Sequence, residues 1–170
     1  MALHFLTSSE MSIDVVVTCD SAVQATEEQK AAYLQSGQLS DLGSHDGATM
    51  FTLKALSPSE REQCEVRAGA YTRSELGRHL YYEALELESV EKARWHHALS
   101  EDEREAMAGY QQYLNQVYNE MIKASLTHID GEPATFDHID QIRPDDHRVT
   151  TIVELVVHIR RISLLGDAGK

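Results

Sequence analysis

The sequence predicts a mainly α protein of the α+β class, a small helical bundle with a short N-terminal β hairpin or arm. Three observations carry that prediction. Helix-start signals crowd the chain after Leu56, apolar residues recur at helical spacing from Met107, and both strand-like stretches fall before Ser57.

The strand-like stretches differ in kind. Ile13 to Val17 is a β-branched run, whereas Met50 to Leu56 alternates apolar and polar residues as a half-buried strand does. Between them, Thr26-Glu-Glu-Gln29 is a capping box for a short helix through Tyr33 and Leu34, with Gly37 placed as its left-handed stop. The Gly-, Ser- and Asp-rich stretch 38–49 reads as a loop.

Further capping boxes begin at Ser57 (with Pro58 at the first helical position), Thr72, Ser100 and Thr151. They predict helices over 58–70, 73–97, 101–128 and 151–165. Asp130 to Asp146, with Gly131, Pro133 and Pro144, reads as a linker with room for one short turn of helix. The expected organisation is an N-terminal arm over 1–56, a helical core over 57–129, a linker over 130–150 and a C-terminal docking helix over 151–170. Leu56–Glu62 and Leu99–Glu105 look alike, but shared helix-start chemistry explains this without a repeat.

A chain of 170 residues with 42% hydrophobic and 25% charged residues has the composition of an ordinary globular domain. Its net charge of −13 argues against a phosphate-binding surface. Lys30 is the sole Lys or Arg before Lys54, and only Arg160 and Arg161, with Arg143 and Arg148, begin a basic patch. Direct nucleic-acid binding is not expected. No apolar run is long enough to span a bilayer, and the start at Met1 lacks a signal-peptide pattern, so synthesis in the cytoplasm is expected and no membrane partner is. Cys19 and Cys64 are read as buried free thiols.

The nine histidines form no His-Glu-x-x-His or Glu-x-x-His pattern, and His96 and His97 diverge on a helix. Glu75/His79 and Glu154/His158 stand at helical spacing and read as surface hydrogen bonds. Asp137-His-Ile-Asp140 has too few ligands for calcium or magnesium. The sequence has no Gly-x-Ser-x-Gly elbow and no phosphate loop. The chain therefore reads as a non-enzymatic protein without cofactor or metal.

Two helix faces are the candidate contact surfaces. Met107, Tyr110, Leu114, Val117, Met121 and Ala124 form a heptad seam with Tyr113 and Tyr118 beside it, suited to the bundle core or to helix pairing between subunits. The last helix is apolar over most of its circumference through Ile152, Val156, Ile159 and Ile162, which suits a central helix or one docked on a neighbour. The polar chain ends at Met1 and Lys170 are expected to be held by partner subunits in a homo- or hetero-oligomer.

Ala48-Thr-Met-Phe-Thr-Leu-Lys-Ala-Leu-Ser-Pro-Ser-Glu-Arg61 resembles a pattern in small morphogenesis proteins of tailed bacteriophages, where a short strand with a basic residue runs into a Leu-Ser/Thr-x-x-Glu helix start. The acidic helical body and Tyr-rich helix are similar in flavour. The resemblance implies a structural component of the virion at the head, neck or tail, bound to other phage structural proteins. A tail assembly chaperone, absent from the mature particle, is the alternative within the same setting. A cytosolic enzyme or regulator with a spatially assembled site is the alternative outside it.

Overall fold

A computed structural model describes residues 11–70 and 73–168. The described elements run β1 (Ser12–Val15), α1 (Glu27–Ser36), β2 (Phe51–Lys54), α2 (Pro58–Arg67), α3 (Glu75–Leu85), α4 (Ser89–Ala98), α5 (Glu101–Ser125), β3 (Leu126–Ile129), β4 (Glu132–Pro133), α6 (Phe136–Asp140) and α7 (Asp145–Ala168). Helix makes up 62% of the structure beside one small antiparallel sheet, so the fold is mainly α within the α+β class. The chain forms two compact units, Met1–Glu62 with Met121–Lys170 (unit 1) and Gln63–Glu120 (unit 2). The boundaries fall inside α2 and α5 and do not coincide with the segments expected from sequence.

Local capping chemistry sets most helix starts. Thr26 accepts from the Gln29 N–H at 3.2 Å while the Gln29 side chain accepts from the Thr26 N–H at 2.9 Å. Ser57 with Glu60 and Ser100 with Glu103 make the same reciprocal pairs. Gly37 ends α1 at φ 75°, its N–H bonded to the Tyr33 carbonyl. The expected box at Thr72 falls on a residue outside the described ones; Ser74 caps α3 by accepting from the Gly77 N–H.

Four expectations need correction. Thr151-Ile-Val-Glu154 starts no helix, because α7 already begins at Asp145 and both side chains are buried within it. The helix expected over 73–97 is two, interrupted at 86–88. The helix expected over 101–128 stops at Ser125 and continues directly as β3. The linker over 130–150 holds β4, α6 and the first turns of α7. Its first two residues, Asp130 (φ 51°) and Gly131 (φ 81°), form the tight turn of a β3–β4 hairpin.

In unit 1 the sheet order is β1-β2-β3-β4, every neighbour antiparallel. The expected N-terminal strand pair is present as β1 and β2, and β3 and β4 extend it. Along β2, Phe51 and Leu53 are buried and Thr52 and Lys54 half-buried, as their alternation predicts. α7 packs against β1, β2, α1 and α6. Its buried side includes Leu155, Val156, Ile159 and Ile162, each contributing roughly 1.5–3 kcal/mol by burial. Ser163 ties α7 to the end of β2, accepting from the Leu56 N–H at 2.9 Å and donating to the Ile159 carbonyl at 2.6 Å. Ser125 donates to the Lys54 carbonyl at 2.6 Å.

In unit 2, Gly77 lies so close to the Ala106 carbonyl that a Cβ there would strike α5 backbone. Above that contact Tyr81, Tyr82, Tyr110 and Tyr113 form a chain of tilted and edge-on rings 5.6–6.3 Å apart. Burial, with Tyr82 beside it, pushes the Tyr110 phenol up to about 12. Trp95 on α4 donates to Glu83 on α3 at 3.1 Å.

Candidate interaction site

The side chains expected at an interface lie mostly inside the chain. Tyr110, Leu114, Val117 and Met121 of the seam are buried, and Met107 and Tyr118 are half-buried. On α7, Val156, Ile159 and Ile162 are buried and Ile152 is half-buried. An amphipathic helix needs cover for its apolar face, and for these residues the chain itself supplies most of it. Residues 1–10 of the expected N-terminal arm and the chain end after Ala168 lie outside the described residues.

What fixes α7 in unit 1 is a set of buried polar contacts. Glu154 accepts from the Thr18 N–H at 2.6 Å and from the Thr18 hydroxyl at 2.5 Å. Tyr33 Oη accepts from the Val16 N–H and donates to the Val16 carbonyl, both at 3.0 Å, so α1 clamps the chain just beyond β1. Arg161 donates through Nη1 to His158 Nδ1 at 3.0 Å and through Nη2 to the Leu34 carbonyl. A guanidinium can only donate, so His158 Nδ1 holds a lone pair and the ring proton sits on Nε2. Burial, with Arg161 adding to it, pushes the His158 imidazole down to about 4. Glu154 and His158 are thus core groups with separate partners, which corrects the surface pairing expected of them.

A pocket of about 630 Å³ lies at one end of the sheet, between α6 and the start of α7. Val17, Phe51, Ile129, Ile139 and Ile142 give it an apolar floor; Cys19, Asp20, His138, Arg143, His147 and Thr151 stand around them. A volume of this size, with apolar and polar residues both in its lining, lies within the range of binding pockets.

The polar groups are already committed to the fold in large part. Burial opposes ionisation of Asp20, but the N–H groups of Ala22 and Thr49, each 2.9 Å from its oxygens, outweigh it and hold the carboxyl below its ordinary value. The Cys19 thiol lies 3.7 Å from both the His147 carbonyl and the Thr151 hydroxyl, and burial pushes its pKa up, away from the thiolate. His138 Nδ1 accepts from the Thr135 N–H at 3.1 Å and so starts α6. Arg143 Nη1 donates to the carbonyls of Asp140 and Ile142. The pocket therefore combines apolar residues with polar groups several of which are held by internal hydrogen bonds. The Asp137–Asp140 segment forms α6, and among the described residues no group of three or more His, Cys, Asp or Glu is placed to hold a metal ion.

Sequence reasoning missed this pocket because its walls come from four separated segments: the end of β1, the start of β2, the end of β3 and the α6–α7 stretch read as linker. The one usable local signal was Ile139 and Ile142 within that stretch, apolar residues at helical spacing among polar ones. Among the described residues no helix is long and apolar enough to cross a membrane. Comparison of the chain with protein-family models, with curated proteins and with solved structures gives no match.

Proposed function

We propose that this chain is a non-enzymatic component of a tailed-phage particle that binds an apolar segment of a neighbouring virion subunit in the unit 1 pocket. The observation that carries the reading is the pocket itself, where the half-buried Ile129 and Ile142 stand beside polar groups several of which are engaged in internal hydrogen bonds. The phage setting rests on the resemblance of Ala48–Arg61, whose strand and helix start are β2 and the Ser57–Glu60 cap of α2. Non-specific burial favours the apolar part of a partner, and the fixed walls limit which segment fits.

A second reading, a tail assembly chaperone, is favoured by the burial of Tyr110, Leu114, Val117 and Met121 of the seam within the chain's own fold. A protein that satisfies its own core can bind a partner and leave it, whereas an obligate subunit keeps a large apolar face for its neighbours.

Peptide mass spectrometry of purified particles separates the two. Recovery of the chain in particle-stoichiometric amounts supports the component reading. Its absence from particles, with a complex present in the infected cell, supports the chaperone reading. Absence from both overturns the proposal.

A further inference from the structure

α7 carries a row of apolar side chains that the fold leaves uncovered. Val149, Val153, Val157 and Leu164 are 55%, 45%, 38% and 62% exposed. At 100° per residue these positions stay within one strip of the helix surface. The exposed Asp146 and Arg160 fall on the same strip.

The strip reads as its own complement. Counted outward from Val153, a valine stands four residues away on either side (Val149 and Val157), and opposite charges stand seven away (Asp146 and Arg160). In a two-fold pair each residue meets the residue that meets it in return. Two α7 helices laid antiparallel and crossing at Val153 would set Val149 of each copy on Val157 of the other. Asp146 of each would face Arg160 of the other, about 10 Å from the crossing point along the axis. A crossing angle near 20° keeps all five positions in contact.

We propose that a second copy of this chain docks on this strip, forming an antiparallel α7 pair centred on Val153. The paired charges select the antiparallel register, because a parallel pair in register would bring Asp146 to Asp146 and Arg160 to Arg160. The strip is narrow and each copy carries a net charge of −13, so the pair is weak and concentration-dependent. The proposal is independent of the phage setting and of the pocket.

Sedimentation equilibrium up to about 1 mM protein tests it, with circular dichroism checking that each variant is folded. The wild type is expected to shift from monomer to dimer with concentration. Asp146→Arg and Arg160→Glu alone should each weaken the dimer at least tenfold, and Val153→Arg should abolish it. The double variant Asp146→Arg/Arg160→Glu restores opposite charges across the pair and should return the affinity to within about threefold of wild type. A monomer at every concentration overturns the proposal, as does a dimer indifferent to Val153→Arg. Folded single variants that weaken the dimer without rescue in the double variant overturn the antiparallel register.

Discussion

Glu154 on α7 receives both the backbone N–H and the hydroxyl of Thr18, so one buried carboxylate ties down the start of the loop that follows β1. The two residues lie 136 positions apart in sequence. Glu154→Ala leaves that N–H and hydroxyl without their acceptor in a partly buried setting. It should cost about 2–3 kcal/mol, read by urea denaturation. Thr18→Val keeps the N–H bond and should cost less.

His158 makes stability depend on pH. Its folded pKa, about 4, lies below the ordinary histidine value of 6.5. The contribution is therefore complete above pH 6.5 and is lost as pH falls toward 4, because the unfolded chain takes up the proton first. Between pH 7.5 and 4.5 this group should remove about 2–3 kcal/mol. Urea titrations at the two pH values should show the loss shrinking by that amount in His158→Phe.

Gly37 and Gly47 both have left-handed backbone, at φ 75° and 79°, but differ in surroundings. The Arg161 guanidinium occupies the space where a Cβ at Gly37 would stand, whereas nothing lies within 4 Å of one at Gly47. Gly47→Ala should cost about 1 kcal/mol from backbone strain alone. Gly37→Ala should cost about 1–3 kcal/mol more, since Arg161 must give up its place. Paired thermal melts read the difference.

Leu114 and Met121 are 8% and 4% exposed. Leu114→Ala and Met121→Ala should each lower stability by about 2–5 kcal/mol, with solution mass unchanged at matched concentration. A change of mass without loss of stability would instead give the seam to an interface.

Much of the fold was legible because short-range chemistry wrote it. Thr26, Ser57 and Ser100 each carry the partner three residues on, and each caps a helix. The same grammar misled at Thr151, where Glu154 is three residues on but turns to Thr18 instead. A capping box is defined by spacing, and spacing does not say whether the helix has already begun. Asp130-Gly131 was a hairpin signal passed over in favour of a linker, since its partner strand is only Glu132–Pro133. The break at 86–88 has neither Gly nor Pro to announce it. The pocket was illegible for a different reason. Val17, Phe51, Ile129 and Ile142 come together only once the sheet has formed, and no local pattern marks them as one surface.

The proposed role turns on whether the pocket holds part of another assembly protein. Co-expression of the chain with candidate phage capsid and tail proteins, followed by native mass spectrometry, measures this directly. A discrete complex with one of them is predicted for the wild type, and Ile142→Trp, which puts a bulky ring into the pocket, should weaken it while remaining folded. A chain that stays unbound in every pairing, or a complex that survives Ile142→Trp intact, would contradict the account.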